Sequence, residues 1–319
     1  MTRDELKQAI SFLSNDNNEQ HIIIYTVDVA ENVRFLDIAD NLQPEIQELF
    51  SQKVLTVFNN NNYELLDYST ADRRDGCYYV YDLEEVPNHM QLMQNVIGDD
   101  TIAHFDFQND SLELVKAFII VLSSADGNVV SLFKPISDVE KYLRRRDFII
   151  RESNHRFVKN DTDMIRVSPG FQMAYIGGHV IMLQPSKLVK LIGLDKVLVN
   201  ASKTEAERLR TKNILENVEQ LTQYCNDDPK FCKALIASIK DSPLFDPLHP
   251  KNVRDAIEYA KSVNKKFRKD GKFHFNDRGD RFVIGSKLQA ERFVKLINND
   301  YLNSDWTGGM FETLAKNKI

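Results

Sequence analysis

The chain has 319 residues, 42% apolar and 28% charged, with only 12 Gly and 9 Pro; this suits one large core or two medium ones and argues against a long disordered linker. A net charge of −6 conceals a division, because residues 1–140 carry 8 Lys+Arg against 25 Asp+Glu whereas residues 141–319 carry 33 against 22. The longest apolar runs, residues 22–25 and 117–122, fall far short of the ~20 residues of a membrane span, and Met1-Thr2-Arg3-Asp4-Glu5 opens without an apolar leader, so no signal peptide is expected.

Leu6, Ile10 and Leu13 mark a short helix over residues 4–13. Strands are expected at 22–27 and 33–38, then a helix from Pro44 that carries Ile46, Leu49, Phe50 and Leu55 and is broken by asparagines 59–62. Further strands fit 63–68 and 77–83. The clearest β signal is Asp126-Gly127-Asn128 between residues 115–122 and 129–133, a strong hairpin cue. Strand-like pieces at 148–151, 156–159, 164–167, 171–175 and 180–183 extend this into an antiparallel meander.

After Pro185 the pattern turns helical, at 187–192 and 201–224. Ala206 and Leu209 mark one face of the second helix and Val218, Thr222 and Cys225 nearly the opposite one, which predicts a bend near residues 211–213. Asp228-Pro229 starts a helix with Phe231, Cys232, Leu235, Ile236 and Ile239 inward. Pro250 opens another, with Val253, Ala256, Ile257, Ala260, Val263 and Phe267 inward. A hairpin pairs 272–276 with 281–284, a capping-box pattern at Ser286 starts a helix with Ala290, Phe293, Val294 and Ile297 inward, and 310–315 reads as a last strand. The class is α+β. A strand-rich, acidic-to-mixed domain over residues 1–184 is followed by a basic helical domain over 185–319 that ends in hairpin, helix and strand.

Chemistry is sparse. Cys77, Cys225 and Cys232 are odd in number and have no ligand spacing, so they read as reduced, buried thiols. The seven histidines are scattered; His104-Phe105-Asp106 lacks a third ligand, and neither a metal nor another cofactor is expected. Nucleotide-binding and nucleophile-elbow motifs are absent. A metal-dependent nuclease would need carboxylates and a lysine gathered near a scissile phosphate. The nearest candidates, Asp106 or Asp110 with Glu113 and Lys116, and Glu312 with Lys316, depart from that spacing. Trp306 and Tyr301 could stack a base or plug a core. The chain is therefore read as a non-enzyme, with the nuclease as alternative.

The charge map is more informative. Residues 251–295 contain 13 Lys+Arg against 6 Asp+Glu. Lys261, Lys265, Lys266, Arg268 and Lys269 lie off the apolar stripe at the end of one helix. Strand alternation sends Lys272 and Arg281 outward, with Arg278 at the turn, and Lys287, Arg292 and Lys295 lie off the core side of the next helix. Such a face suits phosphates, and with few amide side chains beside it, backbone contact more than base reading. Cations at a helix C-terminus also complement its dipole without any ligand. Arg144, Arg145 and Arg146 form a secondary candidate for DNA.

Leu114-Val115-Lys116-Ala117-Phe118 running to Leu132-Phe133-Lys134, and Phe293-Val294-Lys295-Leu296-Ile297-Asn298-Asn299-Asp300-Tyr301-Leu302 with the C-terminal residues 311–319, resemble the KwaB family of the bacterial Kiwa anti-phage defence system. The resemblance implies a cytoplasmic homodimer that works beside a small membrane protein, KwaA, is recruited through it to the inner membrane, and binds DNA so as to hamper phage DNA without established cleavage chemistry. It carries over no DNA-contacting residue. An interaction scaffold, docking an acidic protein or an anionic membrane surface, is a further alternative.

Overall fold

The computed structural model describes residues 1–14, 20–69, 76–143, 150–153, 156–160, 162–248, 250–265, 272–303 and 310–312. These fold as two units, the first drawn from 1–65, 76–81 and 87–188, the second from 66–75, 82–86 and 189–319.

In the first unit α1 (Arg3–Ile10), held by a reciprocal Thr2–Glu5 cap, leads to β1 (Gln20–Asp28) and β2 (Val33–Phe35). Then come α2 (Gln43–Phe58), β3 (Glu64–Asp67), β4 (Cys77–Val80), α3 (Asn88–Asn95), β5 (Val115–Ser124) and β6 (Val129–Pro135). An excursion carrying β7 (Lys141–Tyr142), β8 (Ile150–Ser153), β9 (Arg156–Lys159) and β10 (Met164–Ile165) follows. The chain then returns as β11 (Met173–Ile176) and β12 (His179–Met182), and closes with α4 (Pro185–Leu188). The sheet runs β2-β1-β5-β6-β11-β12-β4-β3, with antiparallel pairs from β2 through β4.

The Asp126-Gly127 turn makes the β5–β6 hairpin as expected, Gly127 supplying φ 81°. The alternation of β5 puts Phe118, Ile120 and Leu122 against α1 and α2, whose Leu6, Ile10, Phe50, Val54 and Phe58 are buried. On the other face α3 brings Met90 and Met93, and His89 meets the ring of Phe133 edge-on. With both faces covered, β5 reads as an unbroken apolar run instead of an alternating one. The helix at 88–95 has a weak signal, Met90, Met93 and Val96 at spacings of three after Pro87, and its shortness hides it from periodicity.

The second unit contains α5 (Leu194–Thr211), α6 (Val218–Asp227), α7 (Pro229–Asp241), α8 (Val253–Asn264), β13 (His274–Phe275), β14 (Phe282–Val283), α9 (Lys287–Ile297), β15 (Tyr301–Asn303) and β16 (Met310–Glu312). The bend expected near 211–213 is a full break. Asn213 takes the left-handed φ of 56°, and residues 214–217 run extended beside β14, Phe282 N–H donating to Ile214 O at 2.9 Å and Glu216 N–H to Phe282 O at 2.9 Å. The opposite apolar faces in the sequence belong to two helices. Ser69 and Asp82, from the two short excursions of this unit, are tied to α7: Lys240 Nζ donates to Ser69 Oγ at 2.7 Å and lies 3.5 Å from Asp82.

Candidate nucleic-acid interface

Four asparagines shape the region that carries the predicted cations. Asn252 caps α8 by accepting from Asp255 N–H at 2.8 Å, so the helix begins after Pro250 and buries Ile257, Ala260 and Val263. At its end Asn264 acts as a one-residue strand. Its Nδ2 donates to Phe273 O at 2.9 Å, and its Oδ1 accepts from Phe273 N–H at 2.7 Å. Asn217 does the same for Ile284, donating to its carbonyl at 2.7 Å and accepting from its N–H at 2.9 Å. The β13–β14 hairpin is thereby gripped from both sides. Its turn is closed by Asn276, whose Oδ1 accepts from Asp280 N–H at 3.1 Å, with Gly279 at φ 68°.

Below the hairpin Phe273, Phe282, Phe293 and Tyr301 form an aromatic core with edge-to-face contacts between 5.2 and 6.5 Å. Tyr301 is 1% exposed, a core plug. Ser286 caps α9 through Gln289 N–H at 3.3 Å. The Gln289 side chain does not complete the expected box but accepts from Gly285 N–H at 2.7 Å and donates to Lys272 O at 3.4 Å. The inward set Ala290, Phe293, Val294 and Ile297 is buried as its spacing predicts.

The predicted cations divide by surroundings. Lys265 at the α8 C-cap, Lys272 before β13 and Arg278 at the hairpin tip are exposed and make no ion pair among the described residues. Lys261, half-exposed, stands 3.4 Å from Glu258 and 5.8 Å from the centre of the Phe275 ring. Arg281 and Lys287, partly exposed, pair with acids far off in sequence. Arg281 Nη1 lies 3.3 Å from Glu216 Oε2, and Lys287 Nζ lies 2.8 Å from Asp228 Oδ2. Asp228 also caps α7, accepting from Lys230 and Phe231 N–H. Burial works to raise its carboxyl pKa, but the Lys287 ammonium and those two N–H donors outweigh it and hold the group below the usual carboxylate range. Arg292 and Lys295 are half-buried on α9. Lys266, Arg268 and Lys269 lie outside the described residues, as do Arg144, Arg145 and Arg146.

The excursion that carries those last three arginines is anchored by two lysines that sequence rules would place outside. Lys134, 3% exposed, donates to Glu140 at 2.7 Å. Glu140 also accepts from Ser137 N–H at 3.0 Å, Ser137 Oγ at 2.9 Å and Ser168 Oγ at 3.0 Å. Burial would raise the Glu140 pKa, yet Lys134 and Ser137 bring it down to about 2. Lys141, 2% exposed, donates to the carbonyls of Glu113 at 3.0 Å and Val115 at 3.2 Å and stands 3.3 Å from Asp138.

Of the nuclease candidates, Asp106 and Asp110 are engaged in local structure. Asp106 and Asp110 build an exposed turn, Asp106 accepting from Gln108 N–H at 2.8 Å and Asp110 from Asp106 N–H at 2.9 Å, while Arg34 lies 3.6 Å from Asp110. Glu113 and Lys116 are exposed, and Lys316, Trp306 and the Glu312 side chain are outside the described residues. Among the described residues no group of three or more His, Cys, Asp or Glu could hold a metal, and no helix is long and apolar enough to cross a membrane. All three cysteines are buried and none is in a disulfide, with Cys232 Sγ donating to Cys225 O at 3.0 Å.

A family model described as Kiwa protein KwaB-like matches residues 112–307. Kiwa protein KwaB of Escherichia coli O55:H7 (strain RM12579 / EPEC) is 21% identical over 324 residues, covering 100% of this chain and 99% of that protein. No solved structure matches the chain. The family match takes in the β5–β6 hairpin, the anchored excursion and the whole α8–α9 region, and on that span the chain belongs to the KwaB-like family of Kiwa proteins.

Proposed function

We propose that this chain is an anti-phage defence protein whose second unit binds the phosphate backbone of duplex DNA with little sequence preference. Bound as a homodimer beside a KwaA-like membrane partner, it obstructs the machinery that processes phage DNA. Family membership supports the defence role. The observation that carries DNA binding is the set of exposed cations on consecutive elements, Lys265 at the α8 C-cap, Lys272 before β13 and Arg278 at the hairpin tip, with Lys261, paired to Glu258, one turn earlier. The lysines among them are compact point charges, which suit phosphate more than base edges, and the forked Arg278 guanidinium also pairs with phosphate oxygens.

Fluorescence anisotropy on a mixed-sequence 30-base-pair duplex across a sodium chloride series tests this. The expected log–log slope is several units negative, and unrelated duplex sequences bind alike. Incubating supercoiled plasmid with Mg²⁺ or Mn²⁺ separates occlusion, which leaves the plasmid intact, from the nuclease alternative. A parent protein with no salt-dependent duplex affinity overturns the reading.

A further inference from the structure

Resting on the DNA-binding reading, we infer that the phosphate-contacting pair is Lys265 and Lys272, set in place by Asn264, and that Arg281 and Lys287, each paired with an acid of the same unit, are tethers that do not touch DNA.

Lys265 and Lys272 are seven apart in sequence and would be independent if the chain between them were their sole link. The Asn264 amide prevents that by making both backbone-type bonds to Phe273. Each lysine is therefore the immediate neighbour of a clipped residue, one on either side of the same pair of hydrogen bonds. Lys272 is fixed a second time, because Gln289 Nε2 donates to its carbonyl at 3.4 Å. Lys265 is fixed by its own N–H, which bonds back to Ser262 O at 3.4 Å at the helix end. The backbones are held while both ammonium groups stay exposed. A pair of cations with fixed bases loses less freedom on meeting a phosphate than two on a loose chain.

The tethers show the opposite pattern. Arg281 reaches Glu216 on the extended segment beside β14, and Lys287 reaches the Asp228 carboxylate that already caps α7. Each charge is balanced by its acid within the unit, so little of it remains for a polyanion. Moving either cation to DNA would strand its acid facing the same phosphates.

The test compares Lys265→Ala/Lys272→Ala with Arg281→Ala/Lys287→Ala in the full-length chain, by duplex anisotropy across salt and by thermal unfolding. Loss of Lys265 and Lys272 should shrink the log–log slope by about 2 and weaken binding about tenfold, with the melting temperature unchanged. The Arg281/Lys287 variant should melt lower and keep the parent slope. Asn264→Ala should weaken binding in the parent but have no further effect on binding in the Lys265→Ala/Lys272→Ala background, which separates positioning from general destabilisation. An equal slope loss in the Arg281/Lys287 variant, or an undiminished Asn264→Ala effect in the double-lysine background, overturns the assignment. A parent that fails to bind duplex overturns the DNA-binding reading itself and takes this assignment with it.

Discussion

Lysine has opposite uses in the two units. In the acidic first unit Lys134 and Lys141 are withdrawn from water, one against Glu140 and the other against two backbone carbonyls and Asp138. In the basic second unit Lys265 and Lys272 stand in solvent with their backbones clipped. Lys233 departs from the second pattern, being buried with its ammonium 4.3 Å from the centre of the Tyr68 ring. Stripping water from an ammonium costs several kcal/mol, so it is tolerated where acids and carbonyls converge on it. The acid surplus of residues 1–140 supplies Glu140 to Lys134 and Asp138 to Lys141. For Lys134, Lys141, Lys265 and Lys272, the acids and carbonyls within reach separate a structural part from a cation left open to a ligand.

The largest expected effect lies in the first unit. Glu140→Ala leaves the Lys134 ammonium buried without its carboxylate and should cost about 3 kcal/mol in urea unfolding. Adding Lys134→Met should recover much of that loss, because the uncompensated charge is gone. Acid titration probes the same group. Its folded pKa of about 2 lies below the usual 4.5, so its stabilisation is complete above about pH 4.5 and disappears as the pH falls toward 2. Thermal unfolding between pH 5 and pH 2 should therefore fall more steeply for the parent than for Glu140→Gln.

In the second unit Asp228→Ala removes a helix cap and the Lys287 tether together, for about 1–2 kcal/mol by urea unfolding. The smallest effect belongs to Lys265→Ala/Lys272→Ala, expected within about 0.5 kcal/mol of the parent by the same measurement. A large loss there would erase the contrast between the units.

Legibility in the sequence followed the range of the interactions. The β5–β6 hairpin and the α7 stripe are local, fixed by Asp126-Gly127 and by Asp228-Pro229 with apolar residues three and four apart, and both were readable. Outward placement of Lys272 and inward placement of Phe273, Phe282 and Ile284 followed from alternation. The break after Thr211 was read only as a bend, because its cause is backbone pairing with Phe282, far along the chain. The same limit hid the candidate site's division. Glu216 lies 65 residues from Arg281, and Asp228 lies 59 from Lys287, so no spacing rule could mark those cations as spoken for. Lys134 gave one faint signal, sharing a strand face with Val130 and Leu132, but lysine at such a position is ordinarily assigned to solvent.

The excursion between β6 and β11 leaves and rejoins strands that are direct partners, with Phe133 opposite Met173 and Leu132 opposite Ala174. Its two ends are latched by Ser168 and Lys134 meeting on Glu140, and by Arg166 N–H donating to Glu140 O at 2.8 Å. The Tyr142–Met164 rung closes the excursion above that latch, so the excursion is joined to the sheet through a fixed base. Loop closure depends only weakly on length, so a short glycine-serine linker in place of residues 144–159 is expected to leave the eight-stranded sheet in register, which thermal unfolding would check. Such a graft would delete Arg144, Arg145 and Arg146 in one step, a way to weigh their contribution without disturbing the scaffold.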